Sequence, residues 1–278
     1  MVTTDTNASP QPFSTLAAFL AGIRIVMVNT TLPANIGSAA RAMHTMGLTQ
    51  LTVVAPKLPI DEDAYAHAAG AKAILDTVTI CDTLEQALQD CHWVIATSSR
   101  QRHIPRPVLS PRQAAELMVT NFQNLDDVMT DSAHRNWQLA IVFGREDRGL
   151  TNEELQLADY HIQIPANPQY GVLNVAAAVQ VIASVFYETA ELALTAKTAA
   201  EKSIDLTFRQ QWDEPPISNE QRLQLENRLL ALLENLDIYN PDQSKVMPQR
   251  INRLLSRLQL DIKEYQLLQA AIAKLLKR

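Results

Sequence analysis

Leu139-Ala140-Ile141-Val142-Phe143-Gly144-Arg145-Glu146-Asp147-Arg148-Gly149-Leu150-Thr151-Asn152-Glu153-Glu154 decides the fold class. Its first five residues are an unbroken apolar run, as in a strand buried on both faces. Two glycines then bracket a charged loop, and Thr151-x-x-Glu154 is a capping box that opens a helix. A second stretch, Ile164-Pro165-Ala166-Asn167-Pro168-Gln169-Tyr170-Gly171-Val172-Leu173-Asn174, repeats the plan after the run His161–Ile164. The chain has seven glycines, and three fall between 143 and 174, where backbone must turn or approach a ligand closely. Strand, loop and helix in that order is the arrangement in which α/β proteins bind ligands.

The same alternation extends outward. Further strands are expected at Ile23–Asn29, Leu51–Ala55, Val78–Ile80 and Trp93–Ala96, with helices over Asp61–Ala69, Thr83–Asp90, Pro111–Asn121, Thr151–Leu157 and from Leu173 onward. After the first strand Pro33-Ala34 reads as a turn and Asn35 as a helix N-cap. Ile36, Ala39, Ala40 and Met43 then form one apolar stripe, with Arg41 on the opposite, solvated side. These alternating elements imply a parallel sheet covered on both faces. Glu214-Pro215-Pro216 marks a break, after which only amphipathic helices follow, carried by Leu225, Leu229, Leu232 and Leu236, by Ile251, Leu254, Leu255 and Leu258, and by the stretch from Tyr265 to Leu276. The expected organisation is a disordered lead over residues 1–20, an α/β domain over 21–205 and a small helical domain over 206–278.

Composition narrows the function classes. Apolar residues at 47% and charged residues at 19% are an ordinary globular balance, and a net charge of −6 argues against indiscriminate nucleic-acid binding. Cys81 and Cys91 lack C-x-x-C spacing, which fits a reducing cytoplasm. The apolar stretch Leu16–Val28 has no basic n-region, is interrupted by Arg24 and is too short to span a membrane, so no membrane association is expected. The histidines form no H-x-x-x-H pair or Cys/His cluster, so no metal is expected. G-x-G-x-x-G, G-x-x-x-x-G-K-[ST] and G-x-S-x-G are all absent, which disfavours dinucleotide, P-loop and α/β-hydrolase chemistry. Two basic clusters stand out on this acidic chain. Arg100, Arg102, His103, Arg106 and Arg112 follow the strand that ends near Thr97-Ser98-Ser99. From Lys245 to Arg278 eight Lys/Arg face two Asp/Glu, with Arg250, Arg253 and Arg257 on one helical arc. Such clusters are either solvated faces or a footprint for an anionic polymer.

Asn35-x-Gly37-x-x-x-Arg41, Phe143-Gly144-Arg145-Glu146-x-x-Gly149-Leu150-Thr151-x-Glu153-Glu154 and Ile164-Pro165-Ala166-Asn167-Pro168-x-Tyr170-x-x-Leu173-Asn174 resemble the three motifs of the SpoU branch of SPOUT RNA methyltransferases. The resemblance runs from about Ile23 through the C-terminal helices. Within that branch it is strongest to the enzymes that methylate the ribose 2′-hydroxyl of nucleotide 32 in the tRNA anticodon loop. It implies a SPOUT-type α/β fold with a C-terminal trefoil knot, a homodimer, tRNA as partner and S-adenosylmethionine as cofactor. The cofactor would be held by Thr97, Ser98, Ser99, Gly144, Ile164, Gly171, Val172 and Leu173. Arg41, Asn35 and Asn174 would be catalytic, and Arg100, Arg102, Arg145, Arg250, Arg253 and Arg257 would face RNA.

Two questions stay open at this level. The family assigns the arginine matching Arg41 as general base, whereas a guanidinium, which keeps its proton, more easily stabilises a developing alkoxide. The family also carries serines where this chain has Gly171-Val172, and valine makes no hydrogen bond. If a serine hydroxyl orients substrate or cofactor, the chain is an RNA-binding SPOUT protein with weak or lost activity. If the loop acts through its backbone, the change is harmless. A related methyltransferase acting on ribosomal RNA is a further alternative.

Overall fold

A computed structural model describes residues 15–98, 107–128, 137–195, 214–242 and 246–277. In chain order these form α1 (Leu16–Ala21), β1 (Ile23–Val28), α2 (Pro33–Thr45), β2 (Gln50–Val54), α3 (Glu62–Ala68), α4 (Lys72–Asp76), β3 (Thr79–Cys81), α5 (Leu84–Leu88), β4 (Trp93–Thr97), β5 (Val108–Leu109), α6 (Pro111–Val128), β6 (Leu139–Phe143), α7 (Asn152–Gln156), β7 (Tyr160–Ile162), α8 (Val175–Thr195), α9 (Asn219–Asn235), α10 (Met247–Leu258) and α11 (Ile262–Leu275). The strands make one sheet in the order β3-β2-β1-β6-β4-β7-β5, with every neighbouring pair parallel.

Alternation along β1 shows why its sequence is apolar apart from Arg24. Ile23, Ile25 and Met27 enter a core with α1, α2, α6 and α8, while Val26 and Val28 enter a second core with α5 and α7 on the other face. Gly37 lets α2 lie directly against α3: a Cβ there would stand 1.9 Å from the Ala64 carbonyl oxygen. Among the described residues α8 is long and apolar enough to cross a membrane over Val175–Leu194; in the fold it packs on α2 and α6.

Two expectations need correction, and one strand was not expected. Residues 16–20 are not part of a disordered lead. Thr15 caps α1, and Phe19 is fully buried, stacked on Trp137 at 5.6 Å and edge-on to Phe122 at 5.4 Å. Residues 1–14 lie outside the described residues. Asn35 is not a cap, because Pro33 at the first position already starts α2 with a suitable φ and no orphan N–H. Finally, β5 pairs with β7 at the sheet edge, and two residues are too few to leave a periodicity in the sequence.

Helices α9, α10 and α11 share a core of their own, with Ile217, Leu225, Leu232, Leu255, Leu260 and Ile272 buried together. They attach at the strands' N-terminal ends. Asn219 N–H donates to the Cys91 carbonyl (2.8 Å) and Glu220 N–H to that of Gln89 (3.2 Å). Arg222, 5% exposed, pairs with Asp159 at 3.0 Å and donates to the Leu157 carbonyl, to Asn219 Oδ1 and to Ser256 Oγ. The expected boundary near 206 lies outside the described residues.

Candidate active site

The loops beyond the C-terminal ends of β4, β6 and β7 enclose an open cleft of about 190 Å³, room for an organic molecule rather than a single water. Thr97 and Ser98 come from the first loop, Phe143 to Leu150 from the second, and Ile162, Ile164, Gly171, Val172 and Leu173 from the third. Gly144 is needed for close approach. A Cβ on it would lie 2.3 Å from the backbone of Gly149 and Leu150, where the loop folds back through the Gly149 N–H to Arg145 carbonyl bond of 2.9 Å.

Two half-buried anchors hold that loop. Arg145 forms a bidentate pair with Glu154 (2.9 and 2.8 Å), donates to the Gly149 carbonyl (3.3 Å) and reaches Asn29 Oδ1. Glu154 Oε2 in turn accepts from the Thr151 N–H at 2.7 Å, completing the capping box of α7. The Glu154 carboxylate holds the Arg145 guanidinium above its usual value against the opposing effect of burial. On the other side Glu146 turns towards the entry of α2, accepting from Asn35 Nδ2 (2.7 Å) and from the N–H groups of Thr31 (3.1 Å) and Leu32 (3.5 Å). Burial alone would raise the Glu146 carboxyl, but Asn35 and these N–H groups hold it below the usual carboxylate range. Asn35 Oδ1 then accepts from Asn174 Nδ2 at 3.0 Å, and Asn174 Oδ1 caps α8 by accepting from the Ala176 (2.9 Å) and Ala177 (3.4 Å) N–H groups. The chain Glu146–Asn35–Asn174 therefore ties the start of α2, the β6 loop and the start of α8 together.

Of the residues expected at a cofactor site, Thr97, Ser98, Gly144, Ile164, Gly171, Val172 and Leu173 all line this cleft, while Ser99 lies outside the described residues. Asn35 and Asn174 stand behind it through Glu146. Arg41 is exposed on α2 and is not among the lining residues. Arg145 lines the cleft too, with 16% of its side chain exposed and its guanidinium held by Glu154 and Asn29, so that it braces the loop. Arg100 and Arg102 lie outside the described residues. Arg250 and Arg257 are exposed and Arg253 half-buried on α10, at the end of the sheet away from the cleft. Ile162, Val175 and Ala178 also line it, and nothing in the sequence separates them from ordinary core residues. Among the described residues no three of His, Cys, Asp and Glu are grouped to hold a metal ion.

A model of the SpoU rRNA Methylase family matches residues 22–184. The tRNA (cytidine/uridine-2′-O-)-methyltransferase TrmJ of Klebsiella pneumoniae subsp. pneumoniae is 37% identical over 258 residues, covering 92% of this chain and 97% of that protein. The tRNA (cytidine/uridine/adenosine-2′-O-)-methyltransferase TrmJ of Pseudomonas aeruginosa is 50% identical over 160 residues, 58% of either chain. An uncharacterized tRNA/rRNA methyltransferase of Haemophilus influenzae is 48% identical, and here too the chain spans 61% of the relative's length. Among solved structures, TrmJ from Z. mobilis ZM4 superposes with a TM-score of 0.72 at 28% identity, over 92% of this chain and 99% of that one.

Proposed function

The chain belongs to the SpoU rRNA Methylase family, and from that premise we propose that it methylates the ribose 2′-hydroxyl of nucleotide 32 in the tRNA anticodon loop, in the cytoplasm, with S-adenosylmethionine as methyl donor. One observation carries the reading: the residues Asn35, Glu146 and Asn174, 139 positions apart at the extremes, are joined by hydrogen bonds directly behind a cleft built by three strand-end loops. Likeness to a TrmJ protein over 92% of the chain favours tRNA over ribosomal RNA as substrate.

The donor set fits the cofactor. Ile162, Ile164, Leu173 and Val175 offer an apolar bed for a flat base, and Thr97, Ser98 and the backbone of the Gly171–Leu173 loop offer polar groups beside it. When bound, S-adenosylmethionine supplies a methyl group on an electrophilic sulfonium. Glu146, Asn35 and Asn174 fix the loop and both helix starts before substrate arrives, so orientation costs little in the transition state. The Arg41 guanidinium, with its fork of N–H donors, stabilises the negative charge that develops on the 2′-oxygen.

Arg41 lies outside the cleft of its own chain, which supports a homodimer in which α2 of one protomer faces its partner's cleft. Leu32, Tyr170, Val172, Val181 and Leu192, all exposed apolar side chains around α2, the cleft and α8, support the same arrangement. The test is transfer of labelled methyl from S-adenosylmethionine to an unmodified tRNA transcript. Incorporation is expected, and its loss with a 2′-deoxyribose at position 32. Cofactor binding without any incorporation would favour the reading as an RNA-binding protein with lost activity.

A further inference from the structure

The cleft's lip carries a second guanidinium that is not spent inside the protein. The loop from Gly144 to Gly149 is closed on itself at Arg145 and Gly149. Its side chains divide by direction. Arg145 is drawn in by Glu154, and Glu146 by Asn35 and the α2 entry. Asp147 and Arg148 are left at the apex, with side chains 59% and 72% exposed, and the contact between them is an ion pair of adjacent residues at 2.9 Å. Both also line the cleft. An exposed pair of neighbours contributes little to stability. The anchors on either side nevertheless hold its backbone in place, so the guanidinium is presented at a fixed point without the ordering cost of a free loop.

Resting on the proposed function, we propose that Arg148 is a substrate-positioning residue that binds a phosphate of the RNA strand entering the cleft, with Asp147 as the internal anion that the phosphate displaces. Arginine suits a phosphate through its planar fork of donors. Asp147 occupies that fork in the free protein and repels the incoming strand, so the two residues act in opposite directions. The high exposure of Arg148 directs it to the strand outside the cleft, not to the carboxylate of a cofactor within.

The experiment is equilibrium binding of an unmodified tRNA transcript from 50 to 200 mM KCl, with Arg148→Gln, Asp147→Asn and the wild type. Arg148→Gln is expected to weaken tRNA binding about fivefold at low salt and to make the salt dependence shallower by roughly 0.7 to 0.9 of a logarithmic unit, the release of one phosphate contact. Asp147→Asn is expected to tighten binding about two- to threefold. The thermal midpoint should not move in either variant. Unchanged affinity and salt slope in Arg148→Gln overturn the assignment, as does a loss confined to cofactor affinity, which would place the guanidinium on the cofactor's carboxylate. A wild-type protein that binds cofactor but no tRNA at any salt overturns the functional reading itself, and with it the phosphate contact.

Discussion

Arg145 and Arg148 are three residues apart in one loop, alike in type and flanked by the same carboxylates, yet one is an internal brace and the other lies on the surface. Their difference is burial, which depends on Glu154 and Asn29 arriving from elsewhere in the chain, and no local pattern encodes it. Glycines are more legible, because their scarcity reports a backbone demand: Gly144 and Gly171 both prove to line the cleft. Arg41 was legible only through resemblance, since a charged residue opposite an apolar stripe is ordinarily just solvated. If it stabilises the alkoxide, Arg41→Ala keeps cofactor and tRNA affinity but lowers turnover by about 10²- to 10³-fold, the usual effect of removing one charge-stabilising donor; single-turnover methyl transfer measures it. Val172 is 70% exposed, so its side chain is not wedged into the cleft wall and the loop can act through its backbone. Val172→Ser should then change turnover by no more than about threefold, as surface substitutions do. A gain above tenfold would mean that the missing hydroxyl matters.

At the scale of elements, the strands were readable because both faces of the sheet are covered, which makes β6 apolar throughout and β1 and β4 apolar but for Arg24 and the terminal Thr97. Helix α7 was readable from its capping box, which forms, and α5 proves to carry a second one between Thr83 and Gln86. What escaped reading was decided by distant contacts. Leu16–Ala21 follows a polar terminus, and its helix is held by Trp137, whose Nε1 donates to the Phe19 carbonyl at 3.1 Å. Phe19→Ala should therefore cost about 3–5 kcal/mol, as for a core aromatic; a change below 1 kcal/mol in urea unfolding would mean that α1 is dispensable. The site loop makes a similar demand. Glu154→Gln removes the partner of an arginine that keeps 16% exposure, so the expected loss is about 2–3 kcal/mol, less than for a fully buried pair. Because the same carboxylate caps α7 and holds Arg145 over Asn29, cofactor affinity should fall with it.

Over the whole molecule, the parallel α/β class and a separate helical C-terminal end could be read from the alternation of periods, but their attachment could not. It depends on Arg222 meeting Asp159 and Leu157, on α9's first N–H groups meeting carbonyls at the end of α5, and on Gln259 donating to Tyr160. Such pairings between sequence-distant polar groups leave no periodic trace. The attachment also has a pH signature. His92 lines the seam beside Asp159, Asn219 and Arg222, and its Nδ1 is buried without a hydrogen-bond partner among the described residues. Burial pushes its pKa down from an ordinary 6.5 to about 4, outweighing the attraction of Asp90 and the hydrogen bond to Gln138. A depressed histidine means that the unfolded chain takes up the proton first. Its contribution to stability is thus complete above pH 6.5, falls as pH drops from 6.5 to about 4, and changes no further below that. Asp90 and Glu146, whose carboxyls are held low, lose their contributions only below their ordinary values of 3.8 and 4.5. The interval from pH 6.5 to 4.5 therefore isolates the histidine from these two carboxylates. The wild-type thermal midpoint should decline across it, and His92→Gln should flatten the decline even if it lowers the midpoint at pH 7. Parallel curves for the two proteins would show that protonation at the seam is not what acid titrates.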